Sequence, residues 1–240
     1  MCDERYCGQN DCPLECANPQ TLTTAMSVKS VLQQCGLSDA HFELISEAIP
    51  EAYAALRKLA DSTPMFAGFV PGFQSLGHLR NVAVQHALQN KAGFSDLFFT
   101  KTALNAARNF AFLQLQTGNV VFTTHYCGKN GTRSIRKAVA RAELNRRNLD
   151  LFPAEGNTPD AFPSLGMAYA QIVHGGLSDP VIAAIRIPNR DQVTYRLAPM
   201  ILDLRKPDMA KVEEVRDRLA EAIKSKKAPK EGRQEGNAAG

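Results

Sequence analysis

A thiol, two glycines and a basic side chain lie close together between a predicted strand and a predicted helix. The strand is Val120–Tyr126, and the segment that follows reads Cys-Gly-Lys-Asn-Gly-Thr-Arg-Ser from Cys127 to Ser134. Backbone N–H groups of a glycine-containing loop can converge on an oxyanion, and an arginine can donate two hydrogen bonds to the same anion. The N-terminus of a following helix would lower the pKa of the thiol. The spacing of Cys127 and Arg133 therefore predicts an anion site with a reactive cysteine.

The pattern Cys127-x5-Arg133-Ser134 resembles the phosphate loop of cysteine-dependent phosphatases. Asn130 adds a similarity to the version found in low-molecular-weight phosphatases and arsenate reductases. The resemblance implies that Cys127 is the nucleophile, that Arg133 holds the phosphoryl oxygens and that Ser134 supports the thiolate. These families also use an aspartate as general acid, for which Asp179 is the candidate. A phosphatase-like hydrolase is thus an alternative hypothesis, and the sequence leaves open whether the protein is an enzyme.

Positive charge is concentrated just after the cysteine. The formal net charge is +4, but residues 129–149 hold seven lysines and arginines against one glutamate. On a helix that begins at Arg133, most of these side chains separate from an apolar face that contains Ile135 and Val139. Several arginines on one face can bind a nucleic-acid backbone, so we expect contact with nucleic acid or another polyanion. The expected contact residues are Lys129, Arg133, Arg136, Lys137, Arg141 and Arg147.

The leading functional hypothesis is a cytoplasmic accessory or regulatory protein that contacts a polyanion through this basic helix. A cytoplasmic location is expected because the N-terminal residues contain no hydrophobic stretch of the kind found in secretory signals. No membrane span is expected, because the apolar stretches are shorter than the roughly 18 to 20 residues that a span needs. A non-catalytic protein-interaction module, with homo-oligomers formed through the C-terminal helix, is a second alternative.

Four cysteines near the N-terminus form a candidate metal site, namely Cys2, Cys7, Cys12 and Cys16. Thiolates are suitable ligands for a tetrahedral Zn²⁺ ion, and the short loops between them could wrap the metal. The usual spacing of two residues between paired cysteines is absent. An ordinary cysteine-rich terminus therefore stays open beside zinc binding, and no other cofactor is implied.

Histidines near the predicted phosphate loop give a further candidate site. His125 and Cys127 share one side of the predicted strand, and His174 ends a later strand that could lie beside it. With Asp179 they could form a metal or acid-base site. The alternative is that each histidine is an ordinary core or surface residue.

The two predicted helices within residues 27–49 are joined by a short turn that contains Gly36. This turn resembles that of helix-turn-helix DNA-binding families, with Phe42 as a core residue of the second helix. The second helix, however, carries Asp39, Glu43 and Glu47, which would repel phosphates. A plain helical hairpin is the alternative.

These segments together predict an α+β fold. We expect an N-terminal helical hairpin, a central mixed or antiparallel sheet with packed helices, and a C-terminal amphipathic helix. Gly118 and Asn119 suit the two-residue turn of a β-hairpin in which Leu115 faces Phe122. Pro50 is expected to kink or break its helix, and residues 64–71 to form a short strand or loop. The predicted divisions are a Cys-rich segment 1–26, a core domain 27–206, a helix 207–226 and a disordered basic tail 227–240.

Overall fold

The computed structural model describes residues 26–67, 70–105, 111–135, 138–146, 148, 168–189, 195 and 197–225. The fold is α+β, as predicted, with helices packed on a six-stranded mixed sheet. The helices are α1 (Val28–Gln34), α2 (Asp39–Asp61), α3 (Pro64–Ala67), α4 (Val70–Gly93), α5 (Val139–Asn145) and α6 (Met209–Ser225). The strands are β1 (Phe99–Leu104), β2 (Ala111–Thr117), β3 (Val120–Tyr126), β4 (Ala168–Gly176), β5 (Pro180–Arg186) and β6 (Met200–Ile201).

Some predictions fall on residues that lie outside the described ranges. They include the zinc site at Cys2, Cys7, Cys12 and Cys16, and the tail 227–240. Among the helices that the structure describes, none has the length and apolar character needed to cross a membrane.

The sheet follows the order of the chain, β1-β2-β3-β4-β5-β6. All neighbouring strands are antiparallel except β3 and β4, which are parallel and are connected through α5. The predicted hairpin is confirmed, because Leu115 pairs with Phe122 and Gly118 takes a positive φ of 41° at the turn. The parallel pair places Tyr126 beside His174, at the ends of two central strands.

The helix α1 begins and ends at residues whose types suit those positions. The hydroxyl of Ser27 accepts a hydrogen bond from the N–H of Ser30 at 3.1 Å, and this caps α1. Gly36 follows α1 with a φ of 97°, a conformation that glycine adopts without steric cost. The helix α2 is buried along most of its length, which fits a helical hairpin that packs in the core. A recognition helix for DNA would instead need an exposed face.

Pro50 does not break α2, which continues to Asp61, so the break that was one of the two expectations is wrong. A proline inside a helix removes one hydrogen bond and costs about 3 kcal/mol. Its neighbours Ile49, Ala52 and Tyr53 are almost completely buried against the other helices and the sheet. Tertiary packing of this kind outweighs the local cost, since most helical stability in proteins comes from burial.

Three other boundaries differ from the sequence predictions. Residues 64–67 form α3 instead of the expected short strand or loop, and α4 begins at Val70. The edge strand β1 was missed because its two sides are both largely exposed, so that no apolar alternation marks it.

The core has two layers, one on each face of the sheet. On one face, Phe122, Ile172 and Ile185 belong to a large apolar cluster with α1, α2, α4 and α6. On the opposite face, Leu144 of α5 packs with Tyr169 of β4 in a smaller cluster. The second face is covered less extensively by described residues, and polar side chains lie among its apolar ones.

Candidate functional site

The pairing between β2 and β3 covers only part of each strand. Their ladder joins residues 114–117 to residues 120–123, although β2 begins at Ala111 and β3 continues to Tyr126. The backbone N–H of Leu113 donates instead to Oε1 of Gln85 on α4, at 3.1 Å. A buried N–H group needs an acceptor, and here a side chain replaces the neighbouring strand. The two strands therefore separate beside α4.

A cleft of about 560 Å³ lies at this separation. Its walls come from α4, the start of β2, the end of β3, the loop after β3 and α5. The uncharged polar lining consists of Asn81, Gln85, Asn105, Thr123, Thr124, Tyr126 and Ser134, with His78 and His125. Arg133 and Arg141 add positive charge, and no carboxylate is present among the lining residues that the structure describes. A cleft of this volume is in the range of small-molecule sites.

Arg141 is the half-buried cation of the cleft. Its Nε atom is inaccessible to solvent and has no hydrogen-bond partner among the described residues. Among the described residues, no ion pair joins Arg141 to a carboxylate. Burial lowers the pKa of Arg141, with the Tyr169 and Tyr195 hydroxyls opposing the shift, but a guanidinium stays protonated in proteins. A half-buried guanidinium of this kind can hold an anion in the cleft, because the anion would give Nε a hydrogen-bond acceptor.

Thr124 provides an independent sign of a polar ligand. Its side chain is 5% exposed, and Oγ1 has no partner within the described residues. The same side chain lines the cleft. An unpaired buried hydroxyl costs about 1 to 3 kcal/mol, which a ligand oxygen or nitrogen could recover.

A hydrogen-bonded chain holds His125 in place on the cleft wall. Nε2 of His125 lies 2.7 Å from Oγ1 of Thr123, which is 2.8 Å from the hydroxyl of Tyr169. The amide of Gln171 donates to the same hydroxyl at 3.3 Å. Burial, followed by the charge of Arg141, lowers the pKa of His125 to about 3. His125 is therefore neutral near pH 7, and the positive charge of the cleft comes from its arginines.

A second histidine, His174, is completely buried on the other face of the sheet. Nδ1 lies 3.0 Å from the hydroxyl of Tyr53, and Nε2 lies 3.2 Å from Oδ1 of Asn81. Burial and the nearby Arg80 lower the pKa of His174 to about 3. The neutral ring carries one N–H, so either Nε2–H donates to Oδ1 of Asn81 while Nδ1 accepts from Tyr53, or the other tautomer reverses these roles with the amide turned. In both cases His174 holds the side chain of Asn81 at the cleft.

The predicted phosphate loop is packed shut around its cysteine. Cys127 is 2% exposed, and burial raises the pKa of its thiol, only partly offset by the charge of Arg186. The N–H of Arg133 donates to the carbonyl of Cys127 at 2.9 Å, and that of Gly131 to the carbonyl of Gly128 at 3.2 Å. These two amides are used inside the loop and do not point at a common anion. The structure thus holds a protonated thiol where the resemblance implies a thiolate nucleophile.

Close packing against β4 and β5 keeps this loop in place. A Cβ atom added to Gly175 would lie 2.6 Å from Cα of Gly131 and 2.7 Å from the carbonyl oxygen of Gly128. Gly131 itself has a φ of 69° and faces Ile182. The loop has no room to open towards the sheet, which differs from the anion cradle of the phosphatase families.

The other residues of the phosphatase hypothesis have separate roles in the structure. Ser134 is exposed and lines the cleft, as does Arg133, whereas Cys127 is not part of that lining. The carboxylate of Asp179 accepts two hydrogen bonds from Nη1 of Arg57, at 3.0 and 3.1 Å. Asp179 is therefore paired with Arg57 of α2. Of the four residues in the phosphatase hypothesis, only Arg133 and Ser134 line the cleft.

The predicted basic helix is shorter than expected. The described residues 132–135 are not helical, and α5 begins only at Val139. Lys129 and Arg133 are exposed on the loop, whereas Arg141 faces the cleft instead of solvent. The other predicted contact residues lie outside the described ranges: Arg136, Lys137 and Arg147. The helix starts late because the chain first forms the hydrogen-bonded turn after Cys127.

The predicted grouping of His125 with His174 is wrong. In the parallel register His125 pairs with Val173, and His174 pairs with Tyr126, so the two histidines point to opposite faces of the sheet. Among the described residues, no cluster of three or more His, Cys, Asp or Glu side chains could hold a metal ion.

Sequence reasoning missed Asn81, Gln85 and Thr124 as site residues. They are ordinary polar residues on a helix and a strand, and no local motif marks them. The available signal was the polar character of Asn81 and Gln85, which lie four residues apart on one face of a helix. Comparison with models of protein families, with curated proteins and with solved structures found no match to this chain.

Proposed function

We propose that the protein binds a phosphate-bearing ligand in the cleft between β2 and β3. Arg141 is the buried contact for the phosphate, and Arg133 is the exposed contact at the entrance. The observation that carries this proposal is the half-buried guanidinium of Arg141, which has neither a carboxylate nor an Nε partner among the described residues. The lining is otherwise rich in hydroxyl and amide groups that can donate to phosphate oxygens.

Phosphate fits this arrangement better than a neutral ligand. A phosphate group has several acceptor oxygens and up to two negative charges near pH 7. Arginine forms paired, charge-assisted hydrogen bonds with such oxygens, and these are roughly twice as strong as neutral ones. The exclusion of water from Nε of Arg141 reduces the competition that weakens such bonds at an open surface.

Contact with nucleic acid is the second proposed function, favoured by the exposure of Lys129 and Arg133 on one loop. Both cations can approach a nucleic-acid backbone without entering the cleft. Such contacts release counterions and weaken steeply as salt increases. In this function the protein acts as an accessory or regulatory factor and needs no catalytic residue.

The first function is tested by the substitution of Arg141 with glutamine. Isothermal titration calorimetry with inorganic phosphate at low salt should show binding to the wild-type protein and at least tenfold weaker binding to R141Q. A loss of one charged hydrogen bond of about 1.5 to 3 kcal/mol gives an effect of this size. The matched control is R146Q at the C-cap of the same helix, because Arg146 is exposed and pairs with Glu143 at 3.1 Å. Equal phosphate binding by R141Q and R146Q would reject the proposed role of the cleft.

Retention of nucleic acid is tested separately with the double variant K129E/R133E. Its affinity for a single-stranded oligonucleotide should fall, and the salt dependence of binding should become shallower, since about two phosphate contacts are lost. R146E is the control for a general loss of positive charge. An unchanged salt slope in K129E/R133E would exclude the loop as the contact surface.

A further inference from the structure

Two amide side chains of α4 line the cleft, and each has one end already engaged in a hydrogen bond. Oε1 of Gln85 accepts the backbone N–H of Leu113 at 3.1 Å. Oδ1 of Asn81 lies 3.2 Å from Nε2 of His174 and accepts from it in the tautomer that carries the proton on Nε2. Asn81 and Gln85 are four residues apart, so they lie one above the other on the same face of the helix.

The bond from Leu113 fixes which end of the Gln85 amide is left for a ligand. The acceptor of Leu113 must be an oxygen, because a backbone N–H can only donate. Gln85 therefore presents its NH₂ group, and Asn81 presents its own NH₂ group beside it when His174 carries its proton on Nε2. This wall of the cleft offers two donors, and a ligand group that also donates would meet them without a partner, at the cost of an unsatisfied polar group.

Few planar ligands present two neighbouring acceptors on one edge. The guanine edge with O6 and N7 has two acceptors, whereas the corresponding adenine edge has the N7 acceptor and an N6 amino donor. Phe112 adds an apolar wall to the same cleft, against which a flat ring can lie. No described lining carboxylate is available to accept from an exocyclic amino group.

We infer that the ligand is a nucleotide whose base presents an acceptor-only edge, a 6-oxopurine nucleotide, in preference to an adenine nucleotide. The inference rests on the proposed phosphate contact at Arg141 and adds a base contact at Asn81 and Gln85. A cleft of about 560 Å³ is large enough for one mononucleotide. The base lies against α4 and the phosphate against α5.

Calorimetric titration with GMP, IMP and AMP, with inorganic phosphate as the reference, tests this inference on the wild-type protein. GMP should bind about tenfold or more tightly than AMP, because a correct pair of base contacts discriminates at this level. IMP should bind like GMP, since it has the same O6 and N7 edge without the 2-amino group. Binding of GMP that is much tighter than that of IMP would assign recognition to the 2-amino group and overturn the inference.

The variant Q85E tests the donor itself. A glutamate keeps an oxygen for the N–H of Leu113 but replaces the NH₂ donor with an acceptor. The ratio of GMP to AMP affinity should fall at least tenfold, while the general repulsion of phosphate by the new charge cancels in this ratio. The matched control is Q89E, which places the same charge on an exposed position of the same helix and should leave the ratio unchanged.

The possible failures are distinguishable. Phosphate binding that depends on Arg141, with equal affinities for GMP and AMP, would overturn the base contact and retain the proposed function. Absence of binding by phosphate and by all three nucleotides would reject both. If circular dichroism shows that Q85E does not fold, the comparison of GMP, IMP and AMP on the wild-type protein still decides the inference, because it needs no variant.

Discussion

The completely buried His174 should make the stability of this protein depend on pH in a defined way. Burial and Arg80 lower the pKa of His174 from the ordinary 6.5 to about 3 in the folded state. The unfolded chain regains the ordinary value, so between these limits it binds a proton that the folded protein does not. The part of the unfolding free energy that is linked to His174 is therefore fully present above about pH 6.5 and is lost as the pH falls towards 3.

The size of the effect follows from the shift. One pKa unit corresponds to about 1.4 kcal/mol, so a decrease from about pH 6.5 to about pH 4.5 should cost on the order of 3 kcal/mol for this one group. His125, whose pKa is also lowered to about 3, acts in the same direction. Carboxylates contribute as well, and a variant is needed to isolate His174.

Urea unfolding followed by circular dichroism, at several pH values from about 4.5 to about 7.5, measures this dependence. In H174Q the glutamine supplies one donor and one acceptor for Asn81 and Tyr53 but does not titrate. Its stability should fall less steeply with decreasing pH than that of the wild type, by about 1.4 kcal/mol per pH unit. H78Q is the control, because His78 is an exposed histidine of α4.

Equal slopes for the wild type and H174Q would refute the reasoning. A direct measurement covers the case in which H174Q does not fold. The imidazole resonances of His174, followed by NMR in the wild-type protein, should then show no protonation down to about pH 4.5.

Two further predictions concern packing and a buried ion pair. G175A should lower the free energy of unfolding by about 1 to 3 kcal/mol or more, because the new Cβ would lie 2.6 Å from the backbone of the adjacent loop. G93A, which meets no atom within 4 Å, should leave the urea midpoint nearly unchanged. K91M should destabilise the fold by about 3 kcal/mol, because it removes the ammonium group 3.1 Å from the buried carboxylate of Glu51. K29M removes an exposed ion pair with Asp39 and should cost at most about 1 kcal/mol. Similar urea midpoints for K91M and K29M would contradict the larger effect expected for the buried pair.

The sequence by itself determined the elements whose signals are local. Ser27 and Gly36 mark the ends of α1 because capping and a positive φ depend on the residue and its near neighbours. Gly118 and Asn119 set the hairpin register that places Leu115 opposite Phe122. The α+β class followed from these elements, and so did the apolar stripe of α6, whose Val212, Val215 and Leu219 are buried. The polyanion hypothesis followed from the basic composition of residues 129–149 alone.

Only the tertiary structure decided the cleft. The bond between Asn81 and His174 joins residues 93 positions apart, and that between Gln85 and Leu113 joins residues 28 positions apart. No periodicity or motif encodes such pairs, because they depend on how β2, β3 and α4 meet. The side of α5 that faces the cleft was likewise set by its packing on the sheet, which turned Arg141 from a predicted surface cation into a half-buried one. Local chemistry therefore specified where positive charge accumulates, and long-range packing specified which of these charges can hold a ligand.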